Sequence, residues 1–154
     1  MTQAGEYFAS AGALLLGRRT YEDFYHVWPA RTDSPFTPWL TNTTKYVAST
    51  TLHEPLPWAN STLLGGDARE AVARLRTEPG KDLLVLGSGG LVRSLMSRQL
   101  VDVFVLLIHP IVLGSGQRLF AEGATGGTLQ LVGTKTTSTG VIVATYSASS
   151  QPTV

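Results

Sequence analysis

Residues 13–21 read ALLLGRRTY, and residues 83–91 read LLVLGSGGL. In each stretch, a run of apolar residues typical of a strand ends at a glycine and leads directly into a predicted helix. The backbone N–H groups at the start of such a helix point toward one spot, and the helix dipole favours an anion there. Two such turns in one small chain, the first with Arg18 and Arg19, predict a ligand with more than one phosphate. A dinucleotide is the simplest candidate.

The composition indicates a single domain with a hydrophobic core. The chain has 154 residues, of which 43% are hydrophobic and 15% charged, and its net charge is +1. This charge gives no electrostatic reason to expect nucleic acid as the main partner. The absence of cysteine excludes disulfides, thiolate nucleophiles and Cys-ligated zinc. We expect one domain over residues 1–150 and a frayed tail over residues 151–154.

No segment of the sequence predicts export or insertion into a membrane. Residues 1–6 lack both the basic start and the apolar stretch of a signal peptide. The longest apolar stretch, residues 103–112, is interrupted by His109 and Pro110 and is far too short to cross a membrane. We therefore predict a soluble cytoplasmic protein with no membrane partner.

The hydrophobic periodicity predicts alternating strands and helices. Strands are predicted over residues 13–16, 45–49, 62–64, 83–86, 103–108, 129–136 and 141–147, and helices over residues 7–11, 20–27, 68–77 and 90–98. Thr20 and Asp67 are the predicted N-caps, and residues 31–42, which contain two prolines, are predicted to form a loop. The apolar residues 103–108 are typical of a central strand covered on both faces. The order predicts a three-layer α/β domain with a mixed, mainly parallel sheet that ends in an antiparallel hairpin.

The paired arginines of the first turn allow two interpretations. Two guanidinium groups at a helix start oppose the dipole unless an anion compensates them. In one interpretation, one arginine is solvated and the other pairs with Glu22 or Asp23 in the first helical turn. In the other, the arginines recognise phosphate, which favours a 2′-phosphorylated cofactor. Ser49 and Thr50, at the end of the second strand, would add hydroxyl donors, although such a pair more often forms a turn.

The second turn does not match a known phosphate-binding fingerprint. In the dinucleotide pattern Gly-x-Gly-x-x-Gly the third glycine would fall at Val92, and no Gly-Lys-Ser/Thr follows. Two interpretations remain open for Gly87, Gly89 and Gly90. They either permit tight packing of strand against helix, or they let the backbone approach a diphosphate closely.

The sequence contains no conventional catalytic set. His26, His53 and His109 lack metal-ligand spacing, so no metal site is predicted. No Gly-x-Ser-x-Gly motif is present, which disfavours an α/β-hydrolase. Hydride transfer needs neither a nucleophile nor a metal; it needs a cofactor and a substrate carbon held together with water excluded. The lack of conventional catalytic residues is therefore tolerable for a reductase, whereas it disfavours a hydrolase.

Several segments resemble the dihydrofolate reductase-like superfamily. They are LLLGRRTYE at residues 14–22, KYVAS at residues 45–49 and LVLGSGGL at residues 84–91. The closest branch comprises the reductase domains of riboflavin biosynthesis, the RibD C-terminal type, and their stand-alone relatives. Residues 106–120, which contain PIVLGSG at residues 110–116, are typical of the same branch. The resemblance runs from about residue 12 to residue 147 and keeps the motifs in order.

The resemblance implies an NADPH-dependent reductase that acts on a small pterin-like or aminopyrimidine substrate, similar to 5-amino-6-(5-phosphoribosylamino)uracil reductase. It identifies no catalytic residue. The cofactor-binding residues that it implies are Gly17, Arg18, Arg19 and Thr20 at the phosphates, with Arg19 as a ligand of the 2′-phosphate joined by Ser49 and Thr50, and Gly87, Ser88, Gly89, Gly90 and Leu91 at the pyrophosphate. Stand-alone relatives commonly form homodimers, for which residues 103–108 and 141–146 would supply an apolar surface.

The sequence departs from the family pattern at its start. Relatives usually have a first central strand and a substrate loop before the first glycine motif, whereas sixteen residues precede Gly17 here. We therefore expect the usual first strand to be missing and the reductase activity to be weak or absent. The alternative functions are a non-catalytic dinucleotide-binding or regulatory dimer and a purely structural dimer. Turnover of NADPH separates the first alternative from the reductase, and failure to bind any dinucleotide favours the second.

Overall fold

The structure is a computed structural model that describes residues 3–124 and 126–148. The tail predicted over residues 151–154 lies outside the described residues. The helices are α1 (Gln3–Ser10), α2 (Arg18–Val27), α3 (Phe36–Asn42), α4 (Ala68–Leu75) and α5 (Gly89–Met96), and the strands are β1 (Ala11–Gly17), β2 (Thr44–Ala48), β3 (Ser61–Leu64), β4 (Asp82–Val85), β5 (Val103–Ile108), β6 (Leu129–Thr136) and β7 (Ile142–Ala148). Across this described part of the chain, no helix has the length and apolar character needed to cross a membrane.

The strands form two sheets, which confirms the predicted α/β class. The first has four parallel strands in the order β3-β2-β1-β4. The second has three antiparallel strands in the order β5-β7-β6, and it contains the predicted C-terminal hairpin of β6 and β7. The parallel and antiparallel strands thus occupy separate sheets, with β4 and β5 at an edge of their respective sheets.

Residues 103–108 do not form the central, covered strand that their apolar run predicted. β5 pairs with β7 alone, and the side chains of Leu107 and Ile108 are 52% and 50% exposed. β4, predicted to be buried, is also an edge strand, and its side chains are at most half-buried. The prediction failed because an apolar run shows that a strand is hydrophobic but does not show how many neighbours it has.

Two apolar clusters cover opposite faces of the parallel sheet. Successive side chains of a strand point to opposite faces, so Leu14 of β1 packs with Tyr21 of α2 and Leu40 of α3. Leu15 packs on the other face, against Val72 of α4 in the second cluster. The three leucines are at most 1% exposed, and Tyr21 and Val72 are 2% exposed. This arrangement gives the predicted three layers, with helices on both sides of the parallel sheet.

Helix α3 lies within residues 31–42, which were wrongly predicted to be an irregular loop. Pro35 is its N-cap residue, and Pro38 falls in its first turn. Proline is tolerated there because the first N–H groups of a helix have no intrahelical partner. The buried Leu40 then anchors the helix to the sheet. The two prolines therefore mark the beginning of a helix rather than its absence.

A buried lysine holds the end of α3. The side chain of Lys45 is 0% exposed, and its Nζ donates to the carbonyl oxygens of Leu40 (2.7 Å), Thr41 (3.2 Å) and Thr43 (2.8 Å). The ammonium also lies 4.6 Å from the centroid of the Trp58 ring. A cation at the C-terminus of a helix is favoured by the helix dipole, but burial lowers the pKa of Lys45 to about 8. Lys45 therefore serves the fold and not the site described below.

Candidate cofactor-binding site

The two glycine-ended turns lie side by side at the carboxyl ends of the strands of the parallel sheet. β1 and β4 are adjacent and parallel, with Leu15 opposite Val85, so their carboxyl ends meet. Gly17 ends β1 and leads into α2, whereas Gly87 and Ser88 follow β4 and lead into α5. In open α/β sheets, ligands bind outside the carboxyl ends of the strands. The structure thus brings together the two turns that the sequence singled out.

Ser88 connects the two turns. Its Oγ accepts a hydrogen bond from the backbone N–H of Gly17 (2.9 Å). The same oxygen lies 2.9 Å from Thr20 Oγ1 and 3.0 Å from the carbonyl oxygen of Leu86. A hydroxyl has one hydrogen, so Ser88 donates to only one of these two oxygens at a time. Ser88 therefore fixes the start of α2 against the end of β4.

Helix α2 begins earlier than predicted. Its N-cap is Gly17, the helix starts at Arg18, and no side chain forms a capping hydrogen bond. The prediction of Thr20 as the N-cap was wrong, because Thr20 lies within the helix and its hydroxyl is close to Ser88. Glu22 consequently falls beyond the first turn, which contains no acidic residue. The first N–H groups of α2 thus have no side-chain cap, which leaves them suited to an anion.

Ser88 adopts a strained backbone conformation. Its φ and ψ are 57° and 46°, and Gly87 before it has a φ of 55°. This left-handed region costs a residue other than glycine about 1–3 kcal/mol and is found preferentially at functional sites. The hydrogen bonds of the Ser88 side chain offset part of that cost. The observed strain is therefore consistent with a site that needs the chain to turn sharply between β4 and α5.

Packing does not require glycine at positions 89 and 90. A Cβ atom at Gly89 would meet only Arg93 Nη1, at 3.4 Å, and one at Gly90 would meet only Arg93 Nη2, at 3.9 Å. Both are terminal atoms of a flexible side chain, which can move. Tight packing of strand against helix, one of the two interpretations of the sequence, thus has no support at these two positions. The Arg93 guanidinium, rather than packed apolar side chains, borders both positions.

Neither arginine of the first turn pairs with an acidic residue. Arg18 and Arg19 are both exposed, and the ion pairs among the described residues involve neither of them. The interpretation in which one of them pairs with Glu22 or Asp23 was therefore wrong. Arg18 Nη1 instead donates to Thr51 Oγ1, at 3.3 Å. Both positive charges at this helix start remain available to an anion.

The end of β2 forms a turn next to the first turn. Ser49 Oγ accepts hydrogen bonds from the backbone N–H groups of Thr51 (3.1 Å) and Leu52 (3.0 Å). Ser49 thus has the turn-forming role that such a residue most often has, whereas Thr50 is exposed. Sequence reasoning missed Thr51, whose hydroxyl contacts Arg18. Its only signal was its place in the hydroxyl-rich run after the strand.

A third arginine, Arg93 on α5, lies near the second turn. Its terminal nitrogens approach the positions above Gly89 and Gly90, and its Nη1 donates to the carbonyl oxygen of Arg118 (2.9 Å). Sequence reasoning missed this residue as well. The available signal was helical spacing, because a residue four positions after Gly89 lies above it on the same face. Arg93 adds positive charge beside the free N–H groups at the start of α5.

Leu91 and His26 contribute no side chain to the site. The side chain of Leu91 packs against the second apolar cluster, so only its backbone is available to a ligand. His26 uses its Nδ1 to contact the carbonyl oxygen of Glu22 (2.8 Å). Among residues 3–124 and 126–148, no group of three or more histidine, aspartate or glutamate side chains is placed to hold a metal ion. The site thus consists of backbone N–H groups, hydroxyls and arginines, which is a donor set for phosphate.

Comparison with known proteins identifies the family. Residues 2–143 match the family model of the RibD C-terminal domain, and the chain therefore belongs to this family. Two relatives come from Bacillus subtilis (strain 168). YyaP is 31% identical over 146 residues, which cover 92% of this chain and 76% of YyaP. YwjB is 32% identical over 130 residues, which cover 84% of this chain and 70% of YwjB. Both relatives are described as uncharacterised.

Solved structures share the fold. A putative riboflavin biosynthesis protein of Shewanella sp. PV-4 aligns with a TM-score of 0.78 and 21% identity over 97% of this chain and 80% of its own. A pyrimidine reductase-like protein of Corynebacterium diphtheriae aligns with a TM-score of 0.68 and 14% identity, over 98% and 83%. Acinetobacter baumannii RibD gives a TM-score of 0.59 and 14% identity over 96% of this chain, which spans 50% of RibD. The dihydrofolate reductase-like fold predicted from the motifs is thereby confirmed.

Proposed function

We propose that this chain is an NADPH-dependent reductase that transfers a hydride to a small pterin-like or aminopyrimidine substrate. One observation carries the proposal: two strand-to-helix turns meet at one edge of the parallel sheet, and Arg18 and Arg19 beside them have no acidic partner among the described residues. Uncompensated guanidinium groups at a helix start favour a ligand that carries phosphate. Membership of a reductase family makes a nicotinamide dinucleotide the first such ligand to test.

The residues of the site fit such a cofactor. NADPH, when bound, would supply the hydride. Arg18 and Arg19 would bind its 2′-phosphate, with the hydroxyls of Thr50 and Thr51 nearby, and the free N–H groups at the start of α5 would bind the pyrophosphate. Only the Arg93 guanidinium would lie within 4 Å of a Cβ at Gly89 or Gly90, which supports this assignment because a diphosphate must approach the backbone closely. Ser88 would keep the two turns at a fixed spacing, so that both contact one ligand.

Titration with both nicotinamide cofactors tests the proposal. We expect NADPH to bind at least about tenfold more tightly than NADH, because one charge-assisted contact contributes about 1.5–3 kcal/mol. Isothermal titration calorimetry of the full chain measures both dissociation constants. Equal constants would contradict the role of the arginines at the 2′-phosphate. Failure to bind either cofactor would contradict the reductase assignment and favour a structural role.

Turnover distinguishes the reductase from a second candidate, a non-catalytic dinucleotide-binding protein. The observation that favours this candidate is the outer edge of β4, which leads to the second turn and has no neighbouring strand among the described residues. We expect NADPH to bind while its oxidation by 5-amino-6-(5-phosphoribosylamino)uracil or dihydrofolate is slow. Nicotinamide absorbance follows the reaction. Rapid oxidation of NADPH would contradict the expected weak activity. Binding of NADPH without any oxidation would favour the second candidate.

We also propose that two copies of the chain pair through the antiparallel sheet and the segment that follows β5. Exposed apolar side chains are concentrated there, including Val112 (96% exposed), Leu113 (74%) and Val132 (65%). A monomer rarely leaves a large contiguous apolar surface in contact with water. Analytical ultracentrifugation that shows only monomer would contradict this proposal. The cytoplasmic location stays a prediction from the sequence.

A further inference from the structure

The side chain of Arg93 reaches back from the last turn of α5 to the first turn of the same helix. Arg93 belongs to the last turn, but its Nη1 lies 3.4 Å from the Cβ position at Gly89, and its Nη2 lies 3.9 Å from that at Gly90. Helical side chains point toward the N-terminus of their helix, and neither glycine places a side chain in the way. The guanidinium therefore lies beside the N–H groups at the start of α5, to which the proposed diphosphate would bind.

This guanidinium has no acidic partner in the described part of the chain. The ion pairs there do not include Arg93, and Glu122 pairs instead with Arg118, at 3.2 Å. Among the described residues, Arg93 has one acceptor, the carbonyl oxygen of Arg118, which lies 2.9 Å from Nη1. A guanidinium has five N–H groups, so most of them stay available. A cation at the start of a helix opposes the helix dipole unless an anion compensates for it. The position of Arg93 therefore points to an anionic ligand.

The contact of Arg93 joins α5 to the segment of residues 118–124. Within the described chain, it is the only hydrogen bond between the two. The segment also packs through Phe120, whose ring centroid lies 6.1 Å from that of Phe104 in β5. A cavity of about 270 Å³ lies between the segment and α5, and Arg93 and Met96 line it on the helix side. The segment therefore has room to move against α5 and one polar contact that holds it there.

We propose that Arg93 is a ligand of the diphosphate and that, when the diphosphate is bound, Arg93 holds the segment of residues 118–124 against the start of α5. This proposal rests on the proposed function, because it adds a residue and a movable segment to the same site. A guanidinium presents its N–H groups in a rigid plane. Nη1 therefore keeps the carbonyl oxygen of Arg118 while other N–H groups of Arg93 donate to phosphate oxygens.

The two contacts of Arg93 depend on the same ordered side chain. Ordering an arginine side chain costs conformational entropy, and in the free chain the Arg118 contact alone offsets that cost. Hydrogen bonds between a guanidinium and phosphate are charge-assisted and are stronger than neutral ones. A bound diphosphate thus keeps Arg93 in the position in which Nη1 meets the Arg118 carbonyl. Binding of the ligand and ordering of the segment are coupled for this reason.

Isothermal titration calorimetry of the full chain with ADP, NADPH and NADH tests the role of Arg93 as a ligand. All three compounds carry a diphosphate, so Arg93→Ala should weaken the binding of each by a similar factor of at least about ten. A residue that contacts only the 2′-phosphate would affect NADPH alone. Arg98→Ala is the matched control, because Arg98 is an exposed arginine just after α5 and should not affect binding. Unchanged affinity of Arg93→Ala for the three compounds would overturn the proposal.

Hydrogen exchange of residues 118–124 tests the coupling. We expect saturating ADP to slow exchange in this segment by at least about threefold in the unchanged chain and in Arg98→Ala, and to have no effect there in Arg93→Ala. Arg93→Lys keeps the charge but lacks the planar group, so it should keep part of the affinity and lose the slowed exchange. Slowed exchange in either Arg93 variant, or none in the unchanged chain, would overturn the proposal.

The three compounds also separate failure of this proposal from failure of the reductase assignment. Binding of ADP that depends on Arg93, without binding of NADPH or NADH, would contradict the assignment and support the role of Arg93. Binding of NADPH that does not depend on Arg93 would overturn this proposal and leave the assignment intact. Binding of none of the three would contradict both. Urea denaturation of the Arg93 variants checks that each one is folded.

Discussion

At the scale of single residues, the two arginines of the first turn carry the functional assignment. Their sequence pattern left open whether they pair with neighbouring carboxylates or with phosphate. The structure removes the first possibility, because no ion pair among the described residues involves either arginine. Local sequence could not show this, since Glu22 and Asp23 follow the two arginines at the (i, i+4) spacing that permits pairing on a helix.

The substitution Arg19→Ala should weaken NADPH binding by about tenfold or more and leave NADH binding nearly unchanged. The reason is the loss of a charge-assisted contact with the 2′-phosphate, a group that NADH lacks. Arg74→Ala is the matched control, because Arg74 is also exposed on a helix but lies near the end of α4, before β4 begins. Calorimetric dissociation constants measure the effect. Equal weakening of both cofactors would assign Arg19 to the diphosphate or to the fold.

Lys45 predicts a specific dependence of stability on pH. Its pKa is lowered to about 8 in the folded state, against 10.5 for an ordinary lysine. Between these values the unfolded chain binds more protons, so the free energy of unfolding rises with pH, by up to about 3 kcal/mol. This gain is complete above about pH 10.5 and is lost as the pH falls through about 8.

Chemical denaturation at several pH values compares the unchanged chain with Lys45→Met. We expect the unfolding free energy of the unchanged chain to rise relative to that of Lys45→Met as the pH rises from 8 to 10.5. Lys135→Met replaces an exposed lysine of β6 and should reproduce the profile of the unchanged chain. Parallel profiles for Lys45→Met and the unchanged chain would show that the three carbonyl contacts fully compensate for burial.

At the scale of elements, the local sequence patterns predicted the positions of strands and helices better than they predicted which strands pair with each other. β6 occupies residues 129–136 as predicted, and Asp67 caps α4 as predicted. The short α3 was missed because Pro35 and Pro38 are typical of loops, although both also fit a helix start. In the site, the glycine turns were evident from the sequence, whereas the internal hydrogen bonds of Ser88 depend on strands that are distant in sequence.

The connection between the two turns should be sensitive to the residue at position 88. Ser88→Ala removes the hydroxyl and keeps a Cβ in the left-handed conformation, whereas Ser88→Gly removes the hydroxyl and relieves the strain. We therefore expect both variants to lose stability and Ser88→Ala to be the less stable of the two by about 1 kcal/mol. Urea denaturation measures both. A glycine variant less stable than the alanine variant would show that the backbone at this position is not strained.

A side chain in the first turn of α5 should leave the stability of the fold nearly unchanged but should block the binding of the proposed ligand. A Cβ at Gly90 would meet only the flexible Arg93 side chain, at 3.9 Å, so Gly90→Val should change the unfolding free energy by no more than about 0.5 kcal/mol. The same side chain would occupy the space proposed for the diphosphate and should weaken NADPH binding by at least about tenfold.

Gly80→Val is the matched control for this change. Gly80 has open space around a Cβ and lies before β4 rather than after it, so its substitution should leave NADPH binding unchanged. Unchanged affinity in Gly90→Val would remove the second turn from the proposed cofactor site. A large loss of stability in that variant would restore the packing interpretation of the glycine.

At the scale of the whole molecule, the surface that two copies would share lies on the antiparallel sheet. The composition predicted a hydrophobic core but could not show which apolar strands face water, because that depends on the pairing order β5-β7-β6. Leu131 and Val132 of β6 are 55% and 65% exposed, and Ile111 after β5 is 65% exposed. These side chains contribute little to the stability of one copy, since they remain in contact with water there.

A charge on this surface should therefore separate the copies without unfolding them. We expect Val132→Glu to shift the chain from dimer to monomer in sedimentation velocity, because pairing would bury an uncompensated carboxylate. Its melting temperature should fall only as far as the loss of the partner allows, and dilution of the unchanged chain should produce the same fall. Val27→Glu, on the exposed part of α2 where Val27 is 43% exposed, should remain dimeric. If Val132→Glu sediments as the unchanged chain does, the antiparallel sheet is not the surface that pairs.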